Sequence, residues 1–415
     1  MTDTLRHAAG NGLLHRRHFL RGGLAVTGGM VFARARASDR PEWMRMPGAP
    51  MSTYGSTADA ERHVQRLVGG AQPGTTGSGA SLTPLQHLEG TITPSGLHFE
   101  RHHSGVPAID PERHTLTIHG DVQRPLRFSM DDLLRYPRVT RQRFLECSGN
   151  TRPQYNDAPM PHTCAMLYGL LSGSEWTGVP VSILLEEAGV AKDAAWVVAE
   201  GADAARMSRS IPLDKMLDDA IIALYQNGER LRPENGYPVR LFLPGWEGNT
   251  SVKWLTRLQV SRQPAMSREE TSKYTDPLPD GRARMFTFPM GVKSVITSPS
   301  PGLTLGGPGL YEISGLAWSG SGAIRRVDVS ADGGRSWAEA ALEAPVQDKA
   351  LTRFRLGWQW DGAPCTLLSR ASDAQGAQPT RNALLAIQGA RHSYHYNAIQ
   401  AWQVNADGEL ANVYA

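Results

Sequence analysis

Arg143-Phe144-Leu145-Glu146-Cys147-Ser148-Gly149-Asn150-Thr151-Arg152 is the stretch around which the rest of the chain is read. An apolar run ends in one cysteine, a Ser-Gly-Asn turn follows, and an arginine closes the segment. The plain reading is a buried thiol beside a loop, since unpaired cysteine packs as a small apolar side chain. The same arrangement also lets a thiolate face a soft metal while a guanidinium faces an anion above it. What stands elsewhere in the sequence decides between the two.

Around this segment the pattern is mixed. His114-Thr115-Leu116-Thr117-Ile118-His119-Gly120 alternates as a strand ending in a turn, and Ser129 caps a short helix begun by Met130-Asp131-Asp132-Leu133-Leu134. Val181 to Ala188 reads as a second helix closed by Gly189. Ala195–Ala199 and Val239–Leu243 read as buried strands, with Lys253 inside a further apolar strand. Short strands mixed with short helices indicate an α+β domain over residues 91–285. From residue 286 to 415 only strands recur: Tyr311–Trp318, a hairpin of Ile324–Ser330 and Ser336–Ala340 around Ala331-Asp332-Gly333-Gly334, then Leu351–Trp360 and Thr366–Ser372. That spacing predicts an all-β, immunoglobulin-like sandwich.

The ends carry different information. Arg16-Arg17-His18-Phe19-Leu20-Arg21, the weakly apolar Gly22 to Phe32 and the small residues Ala35-Arg36-Ala37 read as a twin-arginine signal peptide over residues 1–37. Its apolar part is far short of the ~20 residues a membrane span needs. This leader holds six arginines and one aspartate, so the chain's +3 becomes −2 over residues 38–415, and no nucleic-acid footprint remains. Export predicts a periplasmic protein, folded before it crosses. Residues 38–90, rich in Gly, Pro, Ser and Thr, read as an extended arm with one short helix near Ala58–Leu67. Cys164 and Cys365 either pair or pack as small apolar residues, and packing is the expectation. No Cys-x-x-Cys-His occurs, so no haem is expected in this chain, and electrons must leave it for another protein.

Phe99-Glu100-Arg101-His102-His103, Val106-Pro107, the Cys147 segment, Pro238-Val239-Arg240, Ser251-Val252-Lys253-Trp254-Leu255 and Tyr274 follow one another in an order that resembles the sulfite oxidase family. The resemblance covers most of residues 90–410, and the ending Tyr394-His395-Tyr396-Asn397-Ala398-Ile399-Gln400-Ala401-Trp402 is most similar to its sulfane-dehydrogenase branch. It implies a sulfite-oxidase-type molybdopterin-binding catalytic domain, with the sandwich serving dimerisation. Cys147 is then the metal ligand of a Mo-molybdopterin cofactor. Arg101, Arg152 and Tyr274 are then pocket residues. The implied cofactor contacts are Phe99, Arg101, His102, His103, Cys147, Asp203, Asn235, Arg240, Ser251, Val252 and Lys253. The implied partners are a c-type cytochrome and a sulfur-carrier protein or small sulfur oxyanion, in a homodimer or a heterotetramer with the cytochrome.

Two departures from the eukaryotic pattern stand out: Asn235 replaces a pterin-binding histidine, and Gln388 before Gly389 stands where a third pocket arginine is expected. Arg391 lies three residues on. One positive charge fewer weakens the hold on a free dianion, which fits sulfane sulfur carried on a protein. Free sulfite is the second reading. A scaffold subunit without metal chemistry and a methionine sulfoxide reductase are the further rivals, the last usually lacking a sandwich. A zinc site at His98, His102 and His103 lacks a usual ligand spacing.

Overall fold

The computed structural model describes residues 7–15, 40–69, 77–388 and 394–415. The Arg16-Arg17 pair, the stretch from Gly22 to Ala37, residues 72–76, Gly389 and Arg391 lie outside them.

Two five-stranded sheets build the first domain. One runs in the order Glu229–Arg230, Ile221–Gln226, Leu171–Pro180, Val139–Glu146, with Arg240–Phe242 also paired to Ile221–Gln226. The other runs Leu126–Ser129, Thr115–Gly120, Leu255–Ser261, Trp196–Gly201, Ser208–Pro212, and its Thr115–Gly120/Leu255–Ser261 pair is parallel. Leu116, Ile118, Val197 and Leu258 share one buried core with Val179, Ile222, Leu241 and the helix residues Leu184 and Leu185. The expected helix caps are present. Ser129 and Asp132 form a reciprocal capping box before Met130–Arg135. Gly189, in the left-handed region at φ 70°, closes Val181–Ala188.

The second domain is an antiparallel sandwich. Lys293–Ser298, Gly309–Trp318, Thr352–Trp360 and Ala341–Leu342 form one sheet. Ala338–Glu339, Arg326–Ser330, Cys365–Ser372, Ala401–Val404 and Leu410–Val413 form the other. The hairpin read from Ala331-Asp332-Gly333-Gly334 pairs Val329 with Ala338. Trp318, Trp358, Trp360 and Trp402 fill the interior. That core does not stop at the domain boundary: Phe144, Cys164, Leu167, Tyr168 and Leu171 of the first domain belong to it.

Several expectations are corrected. The stretch near Ala58–Leu67 is no helix but a single 3-10 turn at Asp59–Glu61 followed by the strand Leu67–Val68. Its turn buries no residue, and a helix that short needs an apolar face to persist. The arm does not extend to residue 90, because Gly79–Leu82 pairs with Glu100–His102 and Leu85 is buried. Lys253 precedes the strand Leu255–Ser261 and is not inside it. The cysteines follow expectation: all three are free, and Cys164 and Cys365 are buried as apolar packing. Residues 7–15, within the region read as a leader, lie against the sandwich, with Leu13 in its core.

Candidate active site

Strand Val139–Glu146 delivers Cys147 to the edge of its sheet. The Cys147 N–H donates to Leu170 O over 3.0 Å, and its own carbonyl accepts from Asn150 N–H over 2.9 Å. Thr151 then turns through the left-handed region at φ 66°. Gly248 packs on this corner: a Cβ there would stand 2.8 Å from Glu146 O, so only glycine lets the two segments approach.

Glu146, fully buried, anchors the corner. Lys293 Nζ and Asn150 Nδ2 donate to its Oε1 over 2.7 and 2.9 Å, and Trp318 Nε1 donates to its Oε2 over 2.7 Å. Two of the three donors come from the sandwich. Charge-assisted bonds of this kind are the strong ones, so the thiol's position depends on both domains.

Cys147 opens onto a partly open cleft. Phe99, Arg101, His102, His103, Asp203, Asn235, Arg240, Ser251, Val252, Lys253 and Tyr274 line it with the cysteine. With Cys147 these residues come from six separated stretches of sequence, and one of them, Glu100–His102, is a strand paired with Gly79–Leu82 outside the two five-stranded sheets.

Hydrogen bonds hold the lining in place. Lys253 Nζ donates to Arg101 O (3.2 Å) and Glu234 O (3.0 Å) and lies 2.7 Å from His102 Nδ1. His102 Nε2 lies 2.8 Å from Glu100 Oε2. A neutral His102 satisfies both neighbours if Nε2 carries the proton toward the carboxylate and Nδ1 accepts from the ammonium. Arg240 donates to Asn235 O (3.0 Å) and Ser251 O (2.7 Å). Asn235 donates to Gln226 Oε1 over 2.9 Å. Ser251 Oγ accepts from Leu243 N–H over 3.0 Å. Asp203 accepts from Ser104 Oγ and Met207 N–H, each over 3.2 Å, so it shapes its turn and also faces the cavity. Tyr274, with φ 52°, sets its hydroxyl 2.9 Å from His103 Nε2.

Burial dominates the electrostatics. It pushes Lys253 well below the usual lysine range and Arg240 down to about 9. Burial, aided by the Arg101 guanidinium, takes His103 to about 4. The Cys147 thiol is pushed up by burial, while the Gly149 N–H and Arg101 pull it back toward the thiolate. An anion in the cleft would offset the penalties on Lys253, Arg240 and His103 by supplying the missing counter-charge.

Arg152 is not in this cavity. It is exposed and lies in a neighbouring open groove with Pro153, Asn156 and His162. Its guanidinium stacks 5.1 Å from the Tyr394 ring centre, and that ring packs 5.2 Å from Tyr274. The left-handed turn at Thr151 starts the 3-10 helix Arg152–Tyr155 and carries the side chain away from the thiol. Gln388 is also outside the lining: it is buried and accepts the Tyr155 hydroxyl.

Sequence reasoning gave His98 only as a rejected zinc ligand and Trp254 only as part of a motif, and it missed Asn249, which lines the cleft with them, and Arg209, which lies 5.3 Å from the Tyr274 ring centre. The signal for Glu146 was available, because a carboxylate inside an apolar run requires a buried partner.

Buried groups without a protein partner show what the lining can hold. His98 is held neutral by burial, near 3, and with Nδ1 3.0 Å from Phe99 O its Nε2 is an unpaired acceptor. Arg240 Nε is an unpaired donor. With Arg101 and Lys253 they suit an anionic, hydrogen-bonding ligand, and Cys147 adds one soft ligand. Among the described residues no three His, Cys, Asp or Glu side chains converge as a metal site of their own, which removes the zinc reading at His98, His102 and His103.

Comparison with known proteins gives the same picture. Residues 103–269 match the family described as "Oxidoreductase molybdopterin binding domain" and residues 284–401 match the "Mo-co oxidoreductase dimerisation domain". Mitochondrial sulfite oxidase of Rattus norvegicus is 33% identical over 299 residues, covering 68% of this chain and 54% of that protein. Sulfite oxidase of Gallus gallus is 32% identical over 323 residues, covering 73% and 69%. This chain thus spans about half the length of the rat relative. The crystal structure of the sulfane dehydrogenase SoxCD from Paracoccus pantotrophus superposes with a TM-score of 0.89 at 47% identity, over 91% of this chain and 98% of that one.

Proposed function

The chain belongs to the sulfite oxidase family of molybdopterin oxidoreductases, and we propose that it oxidises sulfane sulfur carried on a partner protein. The observation that carries this is the thiol of Cys147 at the wall of a cleft whose unpaired donor, Arg240 Nε, suits a phosphate and whose unpaired acceptors, His98 Nε2 and Asn249 Oδ1, suit pterin N–H groups. The likeness to a sulfane dehydrogenase over 91% of this chain favours that substrate over free sulfite.

Cys147 would ligate molybdenum, and Arg240, Lys253, His98, His102 and His103 would hold the pterin and its phosphate. When bound, the cofactor supplies two-electron oxygen transfer to sulfur, with water as the oxygen source. The planar, forked guanidinium of Arg101 would orient an oxyanion toward the wall that carries Cys147. Tyr274 holds a proton at its hydroxyl, since burial pushes it above the usual phenol range, and His103 beside it stays neutral. That pair can donate to a developing oxyanion without changing charge. Arg152, behind Tyr394, meets a substrate at the protein surface and not at the reacting sulfur.

The twin-arginine pattern supports export to the periplasm, and electrons would pass singly to a c-type cytochrome within a dimer or heterotetramer. Free sulfite is the second reading, favoured by the rat and chicken relatives. Purified holo-protein with its cytochrome decides: turnover of free sulfite, with none of a thiosulfate-loaded carrier protein, overturns the preference.

A further inference from the structure

Strand Thr352–Trp360 is only partly covered on its outer edge. Its Phe354 and Arg355 pair with Ala341–Leu342. Residues 7–15 cover the remainder: Leu14 N–H donates to Gly357 O and Gln359 N–H donates to Gly12 O, each over 2.9 Å. Leu13 bridges Trp358 and is fully buried, and Leu14 is 1% exposed.

Side chains reinforce the seat. Trp358 Nε1 donates to Asn11 O and Asn11 Nδ2 donates to Ala331 O, each over 2.8 Å. Gly10 N–H donates to Ser336 Oγ over 2.7 Å. At Gly12, φ is 83° and a Cβ would lie 1.9 Å from Gln359 O, so no other residue fits without moving the strand.

We propose that the folded sandwich is a docking site for the chain's own N-terminal segment. Residues 7–15 add a strand to an open sheet edge, where main-chain bonds supply affinity and Leu13 supplies the anchor. The segment stands immediately before Arg16-Arg17 in the sequence. The socket is shared by the two sheets of the sandwich, with Ala331 and Ser336 from the hairpin region of one and Gly357 to Gln359 from the other. It exists only once the two sheets have closed. Docking therefore reports a folded C-terminal domain at the residues next to the export signal. Trimming at Ala35-Arg36-Ala37 would bare the edge and the Leu13 socket.

The docking rests on these contacts and is independent of the molybdenum chemistry. Hydrogen exchange read by mass spectrometry on the full chain tests it, comparing wild type with Leu13→Asp and Gly12→Val. Protection of segments 7–15 and 356–360 is expected in the wild type. In both variants these segments are expected to exchange about tenfold faster or more, with the rest of the sandwich unchanged. Free-peptide exchange of 7–15 in the wild type overturns the proposal, as does protection of 356–360 that ignores both substitutions. Sequencing the N-terminus of exported protein tests the leader reading separately, and its outcome leaves the exchange result intact.

Discussion

Lys293 and Glu146 form a fully buried ion pair, 2.7 Å from Nζ to Oε1, between the first strand of the sandwich and the residue before Cys147. Burial lowers the Lys293 pKa, and the Glu146 charge opposes that shift. The two charges are tolerable because each is the other's partner and Trp318, Asn150 and Thr151 complete the bonding.

Lys293→Met should therefore destabilise the protein by about 3–5 kcal/mol, the range for stranding one member of a buried pair. Adding Glu146→Gln should recover part of that loss. Urea unfolding of the single and double variants reads both effects, and additive losses would contradict the coupling.

Cys147→Ser should fold with a far-ultraviolet circular dichroism spectrum like the wild type's. Oxygen is the poorer ligand for a soft metal, so sulfur-oxidising turnover should fall to a small residue. Retained full turnover removes Cys147 from the chemistry.

Lys253→Met takes a donor from Arg101 O, Glu234 O and His102 Nδ1 together. The purified variant should carry several-fold less molybdenum per chain while remaining folded. Metal analysis beside a melting curve separates this from simple unfolding.

Acidification should weaken the fold. His98 and His395 sit near 3 in the folded chain because both are buried, so between about 6.5 and 4.5 the unfolded chain binds protons that the folded one does not. Glu247 works the other way: burial raises it to about 7, so the folded chain holds a proton there that the unfolded one releases. With His103, also held near 4, three imidazoles outweigh one carboxylate, and stability should fall as pH drops through that window. Urea midpoints measured across it give the sign directly, and a midpoint that rises on acidification contradicts the balance.

The sequence made the alternating strands legible where one face meets water, as in Thr115–Gly120, and where turn chemistry is local, as in the hairpin around Gly333 and Gly334. Val139–Glu146 and Leu171–Pro180 escaped notice, because charged Arg141 and Arg143 interrupt the first and Gly173 and Gly178 the second. Motif order recovered the cavity lining. Arg152 lies in the neighbouring groove and outside that lining, and spacing along the chain does not say which way a side chain leaves a left-handed turn. The Lys293 partner of Glu146 was out of reach for a related reason: a buried charge announces that it needs a partner, not where along the chain that partner lies.

The continuous interior running from Phe144 and Leu171 to Trp318 limits how this protein can be dissected. A gene cut near residue 285 would not give two self-sufficient halves. Each fragment would present a sticky tryptophan- or leucine-lined wound to solvent, and recombinant expression should yield aggregates unless both pieces are made together.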